Sequence, residues 1–466
     1  MFDAFVAFRA RLEPRAIALI TPDRRTSFAA LDAEVDKVAV ALAADGLSTD
    51  SGVVAADAPD AHSRAVLLLA LARLRVASSP AADPEADLRI VLDADWFARA
   101  AAAPSQTIAP RPVDPQAPGR VLLSPQEGGD VRRVGLTWAM IQADLHDAAT
   151  LWLAGKAGRW APAIGLDTRE GFTTALTAWA SGAAVVTGWG PDSLSALLED
   201  ADPSVLVLTP DQLRDLLATL LTGARPRPDL RVLACGRTLP WTTAREARLR
   251  LAPDLRTLYG TAECIAVAHF DAARLEEADG AVGWPAPDVR LEIVEIDGAA
   301  LPRGRVGAVR IHCPRAVRSH LSGSGAEATA FRDGGFQPGD MGRLTAQGLL
   351  VLEGRVEDRI DLAGRGIMPG PIEAAALGCE GVADAAVFAA PKADGEEQLW
   401  LAVMQGPDFR RERLVAALQA VAGDWPTVRF VWVEAIPRDG AGRADRAALR
   451  AEVVAAIGAA IGPKGA

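Results

Sequence analysis

"LYGTAECIA", residues 258–266, holds the only tyrosine in a chain of 466 residues. Two residues beyond Tyr259 stands a small hydroxyl, Thr261, and two beyond that a carboxylate, Glu263. Phenylalanine serves a core equally well, and the chain has 12. A lone tyrosine in a Gly-Thr-Ala-Glu turn therefore asks for a ring with a polar end. The flanking sequence gives its setting. "PSVLVLTP" (203–210), "LRVLACG" (230–236), "GAAVVTG" (182–188) and "LRIVLD" (88–93) read as buried strands. In "SFAALDAEVDKVAVALAADG" (27–46), Phe28, Leu31, Val35, Val38 and Leu42 recur at helical spacing, and Gly46 marks a stop. A second helix over about 60–76 follows the short strand "GVVAA" (52–56). Strands alternating with helices predict an α/β fold with mostly parallel sheets flanked by helices.

Beyond about residue 280 the texture changes. "VRLEIVEIDG" (289–298), "GRVGAVRIHCP" (304–314) and "GLLVLEGR" (348–355) alternate between Gly and Pro turns. This predicts a smaller antiparallel, β-barrel-like part. After 356 come a helix at 371–378, strands at 384–389 and 397–404, a helix at 411–422, a strand at 427–433 and a terminal helix. Together these predict a small C-terminal α+β domain. "ARPRPDL" (224–230) reads as a loop.

Composition removes several function classes. Half the residues are hydrophobic and 23% are charged, enough for a large core. The net charge of −11 gives no footprint for nucleic acid and no polybasic membrane surface. The most apolar run, 65–77, is broken by Arg73 and Arg75, short of the ~18 residues of a membrane span. The N-terminal stretch carries Asp3 and does not read as a secretion signal. Cys235, Cys264, Cys313 and Cys379 have no metal-ligand spacing, so reduced thiols in a cytoplasmic protein are expected. The histidines are scattered and predict no zinc site. Lysine occurs only at 37, 156, 392 and 464, with Arg almost everywhere else.

Four segments carry a resemblance. "LYGTAE" is followed by "PGDMGRL" (338–344), "LLVLEGRVEDRIDLAGRGIMPGPIEAAAL" (349–377) and "IPRDGAGRADRAALR" (436–450). In this order they resemble the adenylate-forming superfamily of acyl-CoA synthetases, nonribosomal adenylation domains and luciferases. Its motifs run Y-G-x-[TA]-E, G-D-x-G, G-R-x-D-D-x-I-K, G-x-R-V-x-P-x-E-I-E and G-K-x-x-R. The first 90 residues also look like the family's opening, so the resemblance covers essentially the whole chain. It implies a large AMP-binding-like domain over 1–355 and a small mobile domain over 356–466, swinging about Glu357. It implies nucleotide contacts from Tyr259, Gly260, Thr261, Asp340 and Arg355. Tyr259 would stack on adenine, Asp340 would accept from both ribose hydroxyls, and Arg355 would touch ribose or phosphate. Glu263 would help place Mg²⁺. The acyl pocket would lie near Thr168, Phe172, Cys235 and Ile265, with Trp179 and Val267 beside them.

The chain also departs from the family. The phosphate loop, roughly T-S-G-[ST]-T-G-x-P-K-G-V, falls on "SPQEGGDVRRVGLT" (124–137). Ser124 takes its first hydroxyl position, Gly128 and Gly129 its glycines, and Arg132 the lysine position. Pro125 removes an N–H, and Glu127 and Asp130 set negative charge where triphosphate would approach. Like charges at 4–6 Å cost roughly 1 kcal/mol or more even at high dielectric. Thr168 stands where the family has a His gate, Gly366 where it has Arg, and Asp361 where it has Lys. Arg443 replaces the near-universal catalytic Lys and is the candidate catalytic cation, with Glu263. Arg keeps the charge but is a bulkier, planar fork.

The resemblance implies a divergent AMP-forming ligase. Such a ligase would use ATP and Mg²⁺, activate a small apolar acyl or aryl carboxylate, and transfer it to CoA or the phosphopantetheine thiol of an acyl carrier protein. Two alternatives stand beside it. One is a catalytically impaired pseudoenzyme acting as a scaffold partner; the other binds AMP or an acyl-adenylate for thiol transfer only.

Overall fold

The structure, a computed structural model, describes residues 3–103, 106–108, 112–125, 131–153, 158–221, 223–277, 280–295, 298–321, 330–362, 365–392, 395–421, 427–438 and 444–461. Its centre is a run of parallel strands, Arg159–Pro162, Val205–Leu208, Arg231–Cys235 and Asp254–Tyr259, with Ala184–Val186 and Ile17–Thr21 on the far side. The apolar runs explain why these strands are buried on both faces. Side chains alternate in direction, so Val205, Val207, Leu233 and Cys235 enter one core, while Leu206, Leu208, Val232 and Ala234 enter another. The covering helices start where their sequences say. Thr168 caps Arg169–Ser181 by accepting from Gly171 N, and Thr209 forms a capping box with Gln212 ahead of Pro210–Thr219.

A second sheet holds Leu88–Val91, Val53–Asp57, Ala77–Ser79 and the hairpin Pro118–Pro125/Val131–Thr137, in that order. Leu88–Val91 was expected to be buried and is not: it is the sheet's edge, with Val91 74% exposed. Its apolar letters do not reveal that only Val53–Asp57 flanks it.

At Tyr259 the main sheet changes character. Asp254–Tyr259 is parallel to Arg231–Cys235 on one side and antiparallel to Ala268–Asp271 on the other. From there the strands are antiparallel through Ala281–Pro285, Leu350–Arg355, Asp340–Leu344 and Gly307–His312, with Arg290–Val294 pairing on the last. The small C-terminal domain is separate. Its three-stranded sheet (Val382–Pro391, Glu397–Gln405, Val428–Val433) carries the helices Gly370–Leu377, Arg411–Val421 and Arg446–Ile461. It has cores of its own, one around Ile372, Val387, Leu401 and Leu414, another around Phe388, Ala402 and Leu449. Among the described residues no helix is long and apolar enough to cross a membrane.

Candidate functional site

The turn after the Asp254–Tyr259 strand is built by its own residues. Gly260 is required, because a Cβ there would lie 1.9 Å from Ile265 O. Thr261 N donates to Cys264 O and Cys264 N to Thr261 O, at 2.9 and 3.1 Å. The Thr261 hydroxyl accepts from the amides of Glu263 and Cys264, at 3.2 and 3.1 Å. Two amides closed onto one side-chain oxygen fix the turn's shape.

Tyr259, Asp340, Arg355 and Glu357 form one connected cluster. Tyr259 Oη donates to Asp340 Oδ2 at 2.5 Å. Arg355 Nη1 donates to Asp340 Oδ1 at 3.1 Å, and its Nε to Glu357 Oε1 at 2.9 Å. Sheet register brings this about, since Asp340 and Arg355 face each other across paired antiparallel strands. Burial and the Asp340 carboxylate push the Tyr259 phenol well above its ordinary range. Burial works against the charge on Arg355, but the carboxylates of Asp340 and Glu357 outweigh it and raise that group above its usual value. The cluster thus presents a ring, a fixed carboxylate and a fixed cation within hydrogen-bond reach of one another.

Glu263 is 4% exposed, and its Oε1 accepts from His320 Nε2 at 2.8 Å. The imidazole packs edge-on against Phe331 and Phe336, with centroids 5.1 and 6.5 Å away. Val317 N donates to Glu263 O at 3.1 Å, holding the segment with His320 against the turn. Burial pushes the Glu263 carboxyl up, but hydrogen bonds from His320 and Thr261 outweigh it and leave the group below the usual carboxylate value. Mg²⁺ demands near-octahedral oxygen ligation and gives up its waters reluctantly. A buried carboxylate already engaged by an imidazole does not fit that ion. No group of three His, Cys, Asp or Glu among the described residues is arranged to hold a metal.

Of the residues expected to line an acyl pocket, Phe172, Cys235 and Ile265 are all buried in one shared core. The Thr168 hydroxyl donates to Gly165 O at 2.8 Å while capping its helix. Trp179 is buried in the same core, donating from Nε1 to Ala18 O at 2.9 Å. The sequence reading passed over Arg169. It is 2% exposed, pairs with Asp144 through Nε and Nη2 at 2.8 and 2.9 Å, and donates from Nη1 to Ala262 O at 2.8 Å. Arg120 is a second missed cation, stacked 4.8 Å over the Phe172 ring and paired with Asp167. The wall expected to be apolar therefore carries two buried guanidinium groups. His320 was missed because it lies 57 residues from Glu263; that distance hides the pairing. The neighbouring Cys264 thiol, helped by Arg315 and opposed by burial, brings half-buried Cys313 down to about 7.

The phosphate-loop segment forms a hairpin in which Ser124 faces Arg132. Gly128 and Gly129, with Glu127 and Asp130, lie outside the described residues. The next residue, Arg133, is turned inward onto the fully buried Asp83. Arg443 also lies outside the described residues. Its flanks are anchored: Arg438 and Ala444 form a bridge, and Arg446 pairs with Asp358 and Glu373 at 2.7 and 3.0 Å.

A model of the AMP-binding enzyme family matches residues 170–319, which include the tyrosine turn and His269 through Ser319 of the antiparallel part. Over those residues the chain resembles the AMP-binding enzymes. It is 30% identical over 184 residues to the indoleacetate–CoA ligase of Aromatoleum aromaticum, covering 39% of this chain and 36% of that protein. It is 26% identical over 265 residues to the fatty acid–[acyl-carrier-protein] ligase ScoC of Streptomyces coeruleorubidus, covering 54% and 50%. The chain thus spans a half or less of the length of these two curated relatives. In fold the likeness is fuller. The o-succinylbenzoate CoA synthetase of Bacillus subtilis, solved with its acyl-adenylate intermediate, superposes with a TM-score of 0.81 at 19% identity, covering 96% of this chain and 97% of that one.

Proposed function

We propose that this adenylate-forming relative is an acid–thiol ligase of the AMP-forming kind. It would hold a small apolar acyl or aryl carboxylate as its adenylate and pass the acyl group to a thiol of CoA or of a carrier protein. The Tyr259–Asp340–Arg355–Glu357 cluster carries this reading. A fixed carboxylate suits a vicinal diol, and the Tyr259 ring beside it suits a purine face. Arg355 touches both Asp340 and Glu357, so the ribose side of the site communicates with the proposed hinge. In this reading 1–355 and 356–466 are the two domains, and Arg443 is the cation supplied from the small one. It would meet charge that builds on the α-phosphate as the carboxylate attacks.

Calorimetry with AMP and carboxylate-dependent pyrophosphate exchange test the proposal. Tyr259→Ala and Asp340→Ala should each weaken AMP binding at least ~10-fold, a loss of about 1.4 kcal/mol. Arg443→Ala should abolish exchange while sparing any transfer from a supplied acyl-adenylate. Arg443→Lys should slow exchange if the 124–137 segment is adapted to Arg. No AMP binding at millimolar ligand would sink the reading.

One observation favours a second reading, in which AMP or an acyl-adenylate is bound and only thiol transfer occurs. The Glu263–His320 pair closes the side of the turn where a metal-bound triphosphate would be handled. Stabilisation by AMP but not by ATP with Mg²⁺ would select it. A ligand at ~100 times its dissociation constant adds about 2.7 kcal/mol, so the two arms are easily told apart.

A further inference from the structure

We propose that His320 stands in for a metal ion beside Glu263, so that the nucleotide turn works without a divalent cation. The inference rests on the adenylate reading for its ligand, but its geometry is independent of it. The two side chains are 0% and 5% exposed, and Nε2 meets Oε1 at 2.8 Å. An ionised carboxylate can only accept, so the ring nitrogen facing it is the donor. On the other side, Phe331 and Phe336 wall the imidazole with aromatic edges. A hydrated Mg²⁺ would have to push the ring out of an apolar wall and break a buried charge-assisted bond. Breaking such a bond leaves a costly uncompensated group.

The imidazole is also held in place through the backbone. Val317 N bonds Glu263 O at 3.1 Å, and Leu321 N bonds Arg133 O at 2.9 Å. His320 therefore sits on a short bridge between the nucleotide turn and the hairpin that contains the phosphate-loop segment. It is a positioning residue: it fixes the direction of the Glu263 carboxylate and supplies the donor that a cation would otherwise replace.

Manganese is the probe, read by electron paramagnetic resonance on the full chain, with and without AMP. Wild-type protein should show no stoichiometric Mn²⁺ site, and its calorimetric affinity for AMP should change less than about twofold between MgCl₂ and EDTA. His320→Ala should free the carboxylate and create one Mn²⁺ site, lost again in the double variant with Glu263→Gln. Should His320→Ala not fold, His320→Leu carries the same test, because its side chain has no donor for the carboxylate. A stoichiometric wild-type Mn²⁺ site abolished by Glu263→Gln overturns the proposal. So does a folded His320 variant that gains no Mn²⁺. Absence of AMP binding under every condition would sink the adenylate reading alone, since the Mn²⁺ titration of the protein without nucleotide still decides this one.

Discussion

At the scale of single residues, the hydroxyl of Tyr259 and the thiol of Cys313 make separable demands. Tyr259→Phe keeps the ring but loses the bond to Asp340. A hydrogen bond to a charged group contributes about 1.5–3 kcal/mol, so Tyr259→Phe should lower stability by up to that amount. Its AMP affinity should fall less than that of Tyr259→Ala, because the stacking face survives. Urea melts and calorimetry on the same samples separate the two effects. Cys313 lies at about 7, with the Cys264 thiol as the largest cause. The thiolate is the reactive form, so iodoacetamide labelling of Cys313 should climb through pH 7 and level off above it. In Cys264→Ala the climb should move to higher pH. Peptide mass spectrometry over pH 5.5–9 reads both curves, and an unmoved midpoint would reject the Cys264 thiol as cause.

At the scale of elements, the Arg169–Ser181 helix is pinned to the turn after Tyr259 by its first residue. Arg169→Ala leaves Asp144 buried without its partner, and breaking a buried pair costs about 3–5 kcal/mol. The double variant Arg169→Met/Asp144→Leu should recover most of that loss in urea, because two apolar groups replace two charges. AMP affinity should stay reduced in both, since the bond to Ala262 O is gone. The sequence did reveal the parallel strands here, because buried runs such as Val205–Leu208 need no partner to be recognised. It revealed the turn as well, because Gly260 and Thr261 act on neighbours five residues away or less. Arg169 and His320 were not legible. Their identities suggest solvent, and their burial depends on Asp144 and Glu263, which are 25 and 57 residues distant. The reverse holds for Leu88–Val91, whose apolar letters suggest a core that the sheet's edge does not provide.

At the scale of the whole molecule, the small domain keeps apolar clusters of its own and meets the large one close to the Leu350–Arg355 strand. A Cβ on Gly370 would lie 2.5 Å from Glu353 O, and one on Gly354 would lie 2.8 Å from Met368 Cε. Close backbone contact at one place, with separate cores on either side, should give two calorimetric transitions. Brief protease treatment should cut first near 356–364. A single transition, with no preferred cut there, would mean that the two parts unfold as one unit. The molecule also carries a built-in reporter. Because Tyr259 has no second copy anywhere in the 466 residues, protein grown on ring-labelled tyrosine would give the aromatic NMR signals of a single residue, with no sequence assignment needed. Its phenol carbon would follow the bond to Asp340, its ring edges whatever lies against the face. Arg355, and through it Glu357, connects to the same carboxylate, so the same residue would report any movement of the small domain in the proposed cycle alongside ligand occupancy.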